Sequence, residues 1–326
     1  MNIFKKIISF ALILTLVLTF GACGKKGGGE TTEAESETET TSDEREVKTR
    51  ISALKDAGGL GLIKLGLDRA YGYDLKFEEK EEDIVGLLVT GKTDIASLSL
   101  TTAINLYNES NADIQILTVN SLYNYGVTAK DEKIEDIAGL KGREIYVYGQ
   151  GDTGFDFTKK LLDDAGIDTS ALKKVNSADE AAGLSKENPE RVFILPEPII
   201  TRFAELNTDY KKFDVINKAL TDSKTEAPAL MCTVARREYI ENNPVIIDEF
   251  MLFYEVSVNY MNTDEFVVPV IMAEQGFLGN KETGYSLNPY FKLVFIEGDE
   301  MKTLVKSSLD LIYGEGKVQT DDGMFS

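Results

Sequence analysis

Histidine and tryptophan are both absent from the chain. Without histidine there is no Ser-His-Asp triad or Cys-His pair, and most zinc-enzyme ligand sets are excluded. Cysteine is scarce too: Cys23 and Cys232 are the only two, too few for a disulfide framework. Positive charge is in deficit. Thirty-five Lys and Arg face 55 Asp and Glu, a formal net charge of −20 at pH 7. That balance disfavours nucleic acid and anionic membrane surfaces as partners. No nucleophile elbow and no Walker-type phosphate loop occurs. These absences argue against hydrolase or transferase chemistry, and no catalytic residue, metal ligand or cofactor is assigned.

What is present begins with a targeting segment, residues 1–22. Lys5 and Lys6 form a basic region and Ile7 to Phe20 an apolar run broken by Ser9, Thr15 and Thr19. The run is too short and wrongly flanked for a good transmembrane helix. Small residues Gly21-Ala22 then precede Cys23, which resembles a bacterial lipobox with Phe20 in place of the usual leucine. Cys23 is the expected lipidation site, and loss of Lys5 and Lys6 with the leader takes the formal charge from −20 to −22. Residues 23–46 read as an acidic tether. Ala34 is the one aliphatic side chain after Cys23, so the segment cannot bury enough apolar surface to offset ordering entropy. Its coil span is on the order of 25 Å. With Cys23 acylated, Cys232 is left unpaired in the apolar run Ala229 to Val234 and is expected to be a small buried hydrophobe.

From Val47 onward, strand and helix patterns alternate. Strands are expected at Thr49-Leu54, Asp74-Glu79, Asp94-Ser99, Ile114-Val119, Tyr125-Ala129, Glu144-Tyr148, Val192-Leu195 and Phe213-Ile216. Gly58-Gly59 reads as a turn. Helices are expected at Leu60-Tyr71, Asp83-Thr90, Thr101-Tyr107, Thr153-Ala165, Ala178-Lys186, Ile199-Leu206, Val245-Met261, Glu265-Gln275 and Glu300-Tyr313. The pattern is α/β with mostly parallel sheets. Alternation breaks near Asn120-Tyr125 and again near Pro228-Ala235. The simplest topology has the chain leave one lobe, build a second and return, giving lobe 1 as 47–122 plus 227–326 and lobe 2 as 123–226. Two crossovers would make a hinge with a cleft between the lobes.

The stretch Glu144 to Lys160 organises the site. Ile145 to Tyr148 is a strand, Gly149-Gln150-Gly151 a turn, and Asp152-Thr153 the start of a helix. Such a turn offers backbone N–H groups at the positive end of a helix dipole. Gly149, Gly151 and Gly154 also spell G-x-G-x-x-G, the dinucleotide fingerprint. Its acidic partner would be Asp168, which falls in a loop, so an ordinary βα connection is the preferred reading.

Several motifs in order resemble the type II solute-binding proteins of ABC importers, in the branch that binds aliphatic sulfonates, nitrate and pyrimidine precursors of thiamine. Gly91-Lys92-Thr93-Asp94-Ile95-Ala96 is similar to that branch's G-x-x-D-I-A, and Leu140-Lys141-Gly142-Arg143 to its D-L-K-G-K. Tyr148 to Phe155 resembles G-x-G-x-T-P-E, with Gly154-Phe155 where the branch has Pro-Glu. Leu195-Pro196-Glu197-Pro198 resembles L-P-E-P, and Thr320 to Phe325 the P-D-D-x-F-Y tail. The resemblance implies a hinged two-lobe α/β fold of the type II periplasmic-binding-protein kind, with a ligand cleft between the lobes and a permease and its ATPase as partners.

Carried onto this chain, the ligand-binding candidates are Gly58 and Gly59, Ser97, Ser99 and Thr101, Tyr123 and Asn124, Gln150, Asp152 and Thr153, and Glu197. The alternative readings are helix capping for Ser99, Thr101 and Asp152, a helix N-terminus partner for Glu197, and hinge packing for Tyr123 and Tyr125. The function implied is an extracytoplasmic, lipid-anchored, monomeric solute-binding subunit. The competing readings are an enzyme on the same fold, either a pyrimidine synthase or a menaquinone-pathway lyase, and a surface receptor lipoprotein. Asp152 and Glu197, with no basic residue at the matched positions, favour a neutral or cationic nitrogenous ring over a sulfonate or nitrate. Arg202 and Lys55 are the basic residues that would weaken this argument if they reached the cleft.

Overall fold

A computed structural model describes residues 49–68, 72–109, 113–130, 134–285 and 291–326. The expected leader, Cys23 and the tether lie outside the described residues. Among those described, no helix is long and apolar enough to cross a membrane.

The chain first lays down β1 (Thr49–Ala53), β2 (Tyr73–Phe77), β3 (Ile95–Ser99) and β4 (Ile114–Leu122). It then builds β5 (Tyr125–Ala129), β6 (Ile145–Tyr148), β7 (Lys173–Val175), β8 (Val192–Pro196) and β9 (Lys211–Phe213) in a different sheet. Finally β10 (Ala229–Arg236) and β11 (Leu293–Ile296) rejoin the first sheet. The six-stranded sheet runs β11-β4-β10-β3-β1-β2 and the five-stranded sheet β7-β6-β8-β5-β9. Sheet membership therefore changes between Leu122 and Tyr125, and again before Ala229.

The sheets are mixed, which corrects the mostly parallel expectation. β1 pairs in parallel with β2 and β3, and β6 with β7 and β8. β10 is antiparallel to β3 and β4, β11 to β4, and β5 to β8 and β9. Alternating strand and helix reports the βαβ units. It does not report the direction of the strands that enter where the chain changes sheet: β5 follows β4 with no helix between them, and β10 follows α8 but pairs in a different sheet from the strand before that helix.

The helices among the described residues are α1 (Ala57–Leu60), α2 (Ile63–Leu67), α3 (Glu81–Val89), α4 (Leu100–Glu109), α5 (Asp152–Asp164) and α6 (Ala178–Glu187). They continue with α7 (Ile199–Leu206), α8 (Val215–Ser223), α9 (Arg237–Asn242), α10 (Pro244–Thr263), α11 (Val267–Glu274) and α12 (Gly298–Tyr313). Both faces of the first sheet are covered. Ile51 and Ile95 join a cluster with Ile63, Phe250, Tyr254 and Met272. Ala96, Leu98, Cys232 and Val234 join another with Ile84, Ile104 and Leu309. The second sheet has its own core, with Val127, Val147 and Ile194 among Phe157, Phe203 and Ile216. Strands that face helices on both sides are apolar at nearly every position, as β10 is.

Two local expectations are corrected. Gly58-Gly59 is not a turn: both residues lie inside α1, because buried Asp56 accepts from their N–H groups at 3.0 and 3.2 Å. The strand expected at Phe213-Ile216 stops at Phe213. Val215 and Ile216 instead open α8, where with Leu220 they form its buried stripe. Two β-branched residues in a row mimic a strand, and tertiary packing on a helical face overrides that preference.

Candidate functional site

The carboxyl ends of β3 and β6 face each other across a narrow gap. It is lined by Asp56, Ser99, Tyr125, Tyr148, Gln150 and Met231 among others, and none of its lining residues is basic. Its volume is about 10 Å³, close to what one water molecule occupies. Hydrogen bonds from the two halves meet around it. Gln150 Nε2 donates to the Glu79 carbonyl at 3.0 Å, and Glu81 N–H donates to Gln150 Oε1 at 3.3 Å. Thr101 N–H donates to Thr153 Oγ1 at 2.8 Å. Tyr313 of α12 donates to Asp156 of α5 at 2.5 Å.

The residue with the most consequence is Glu81, which carries no family motif. It opens α3 and is buried. Its carboxylate accepts from Ser99 N–H at 2.5 Å, from Ser99 Oγ at 3.3 Å and from Thr102 Oγ1 at 2.6 Å. Ser99 precedes α4, so Glu81 occupies the anion-favouring N-terminus of that helix. Burial raises its carboxyl to about 7, the bonds from Ser99 and Thr102 notwithstanding, and Asp56 adds like charge. Burial likewise raises Asp56 to about 6 against its bonds from Gly59 and Gly58. Asp56 thus lines the gap and Glu81 stands beside its Ser99 rim, two desolvated carboxyls that hold protons more readily than usual.

The sequence-derived candidates divide into groups. Ser99 and Gln150 line the gap. Gly58 and Gly59 stand behind it in α1, and a side chain on Gly58 would lie 2.2 Å from Ser97 Oγ. Ser97, one step further back on the same face of β3 as Ser99, accepts from Asn120 Nδ2 at 3.0 Å and is not among the residues that line the gap. Thr101 and Thr153 bond each other across the halves and are spent on that contact. Tyr123 is core packing: it is 1% exposed, bonded to Thr158 at 2.7 Å and stacked on Tyr125 at 4.8 Å. Asp152 neither caps α5 nor enters the gap. Gly151 takes the N-cap position, and Asp152 pairs with Lys174 at 2.9 Å.

Asn124 and Glu197 line a separate cavity, and Glu197 pairs with Lys212 at 2.6 Å. Both carboxylates singled out from the sequence therefore have lysine partners. The acidic group lining the gap is instead Asp56, with Glu81 beside it behind Ser99. Arg202 pairs with Glu205 at 2.8 Å, and Lys55 approaches Gly276. Nothing in local sequence marks Glu81 as buried, because Lys80-Glu81-Glu82-Asp83 reads as a charged helix start. Asp94 of the D-I-A motif is structural. Its carboxylate accepts from Arg50 N–H and from the Arg50 and Arg236 guanidinium groups, pinning β1 and β10 beside β3.

Comparison with solved structures places this architecture among known ones. A structure described as an ABC transporter from Parabacteroides distasonis superposes with a TM-score of 0.68 at 19% identity, covering 86% of this chain and 98% of that one. The alkanesulfonate-binding protein SsuA from Xanthomonas axonopodis pv. citri, bound to MOPS, gives 0.64 at 11%, covering 84% and 94%. The nitrate-binding protein NrtA from Synechocystis PCC 6803 gives 0.63 at 13%, covering 81% and 80%. At such identities the likeness establishes the fold, the hinged two-lobe periplasmic-binding-protein kind. No curated protein sequence matches the chain. The sequence profile described as NMT1/THI5 like matches residues 69–264, and since this is more than half of its length, the chain belongs to the NMT1/THI5-like family.

Proposed function

We propose that the chain is the extracytoplasmic solute-binding subunit of an ABC importer, a binding protein and not an enzyme. Lobe 1 (47–122 plus 227–326) and lobe 2 (123–226) close on a small organic molecule and hand it to a membrane permease. Acylated Cys23 tethers the subunit to the outer face of the cell membrane through 23–46. The structural neighbours described as transport and solute-binding proteins support this role, as does the family.

The observation that carries the ligand class is the buried pair Asp56 and Glu81. An anionic sulfonate or nitrate seeking the N-terminus of α4 would have to displace the Glu81 carboxylate from Ser99 and Thr102. No basic group lines the gap to receive it. A neutral or cationic nitrogenous ring suits the site better, donating to Asp56 or Glu81 and resting against Tyr125 or Tyr148. Its entry requires the lobes to part. Calorimetry and native mass spectrometry of the purified full chain test this. Aminopyrimidines and aromatic amines are expected to bind, and Glu81→Gln to weaken them about tenfold, the loss of one charge-assisted bond. Tight binding of taurine, an alkanesulfonate or nitrate, with no response to amines, would show the ligand class to be wrong. For the anchor, Cys23→Ala is expected to move the protein from the membrane fraction to the soluble one.

A further inference from the structure

We propose that the outer face of α10 is a docking surface for a basic amphipathic helix of a partner protein. The helix spans Pro244–Thr263 and holds Asp248, Glu249 and Glu255 but no Lys or Arg. One face is spent on the core of the first sheet, with Phe250, Tyr254 and Met261 buried. The opposite face of a surface helix is ordinarily polar. Here it carries Val245, Leu252 and Val256, which are 68%, 58% and 51% exposed. At 3.6 residues per turn the three fall within about 40° of one another. They form one ridge and are not scattered single side chains.

A groove of about 520 Å³ adjoins the ridge and shares Leu252 with it. Leu117 of β4, Phe295 of β11, and Ile247 and Met251 of α10 supply its apolar lining. Asp248 and Glu255 of α10 and Glu297, the residue before α12, are its charged groups, and none of its lining is basic. All three acids are exposed, and none makes an ion pair among the described residues. The groove shares no residue with the lining of the narrow gap.

Charge decides the occupant. An apolar ridge with acids along its flank matches a helix whose apolar stripe is bordered by Lys or Arg, the groove taking one large side chain as an anchor. Each flanking acid would then gain the ion pair that it lacks within the chain. A second copy of this chain would bring the same acids to the same place, and like charges set face to face oppose pairing. The tether, residues 23–46, is net acidic and is repelled likewise. An anionic membrane surface is disfavoured for the same reason. Ridge and groove belong to the first sheet and its helices, so a docked helix would leave the gap free to open and close.

This surface does not depend on the solute-binding reading of the gap. The probe is a synthetic peptide of leucine and lysine with its leucines at i, i+3, i+4 and i+7, labelled for fluorescence anisotropy and titrated with the purified full chain. A scrambled peptide of the same composition keeps the charge and loses the apolar stripe. The helical peptide is expected to saturate at one per chain, and the scrambled one to bind at least tenfold more weakly. Leu252→Asp should weaken the helical peptide by about tenfold or more, as befits a central anchor. Val256→Lys should act in the same sense and serves if the Leu252 variant fails to fold. Asp248→Lys combined with Glu255→Lys should slow association and flatten its salt dependence, as flanking charges do. Phe266→Ser, at a residue 79% exposed outside the ridge, should leave the isotherm in place. Absence of saturable binding, or equal affinity for the scrambled peptide, would overturn the proposal. So would indifference to both Leu252→Asp and Val256→Lys, or a loss on Phe266→Ser as large as theirs. Dimers in sedimentation velocity that Leu252→Asp dissolves would assign the face to a second copy instead. Recruitment to uncharged phosphatidylcholine vesicles that Leu252→Asp abolishes would assign it to a lipid surface, and either result would equally refute a partner helix.

Discussion

Glu81 and Asp56 bring two carboxyl groups out of water within one small region, and the consequence is a pH dependence. Burial raises Glu81 to about 7 and Asp56 to about 6, whereas in the unfolded chain both titrate near 4. The folded form thus keeps protons that the unfolded form gives up. The associated stability is fully present below about pH 4 and is lost as pH rises through 6 to 7. Glu144 acts in the opposite sense. Lys173 and then Arg191 lower it to about 2 against the cost of burial, so its contribution is lost only as pH falls below its ordinary value. Between pH 5 and 8 the raised pair governs. Thermal unfolding of the wild type is expected to weaken over that range by on the order of 2 kcal/mol. Glu81→Gln, which imitates the protonated form at Ser99 and Thr102, should flatten the slope. Parallel pH profiles for the two proteins would show that Glu81 is not the titrating group.

At the scale of elements, the turn between β6 and α5 is where the sequence was easiest to misread. Its glycines spell a dinucleotide fingerprint, yet the tertiary reason for two of them is close approach. A Cβ on Gly154 would lie 2.0 Å from Tyr125 OH. Gly151 has φ of 74° and would place a Cβ 2.5 Å from that of Ser99 in the opposite lobe. Gly151→Ala is therefore expected to prop the lobes apart as well as strain the backbone, at a cost of about 1–3 kcal/mol. Most of each sheet's core lies within its own half, so circular dichroism should stay native. Small-angle scattering should show a larger radius of gyration, and affinity for any solute held in the gap should fall at least tenfold. An unchanged radius with native affinity would mean that the turn yields. The motifs at Asp94 and Glu197 tell the same story: residues matched to a family pattern turn out to pin strands or to pair with a lysine.

Across the whole molecule, hydrogen bonds join the two halves beside the apolar packing of Leu230, Met231 and Ile312 into the core of the second sheet. Gln150 with Glu79 and Glu81, Thr153 with Thr101, and Tyr313 with Asp156 join one flank. Asn124 to Phe291 and Glu205 to Gly279 and Thr283 join another. Each bond is worth about 1 kcal/mol net, so removing two of them should be felt in the balance between closed and open states. Thr153→Ala combined with Tyr313→Phe is expected to speed solute release by about tenfold with little change in association, since such losses fall on the off-rate. The natural absence of tryptophan makes a single introduced tryptophan near the gap a background-free reporter for stopped-flow measurement. Equal release rates would place the barrier elsewhere.

The order of strands and helices was legible along the chain because it is written in local periodicity. β5 and α7 fall where the pattern put them, and the apolar run around Cys232 is the buried β10. The class of fold followed from that order and from motif succession. Strand direction, the end of β9 and the partner of Asp152 did not, because each depends on what stands opposite across a sheet or lobe. Glu81 is the clearest case. In sequence it is one acid among three at a helix start, indistinguishable from a solvated charge. Only folding carries it into the N-terminus of α4, removes it from water and sets it near Asp56. Desolvation and like charge are properties of a place, and the sequence alone specifies no place until distant segments have met.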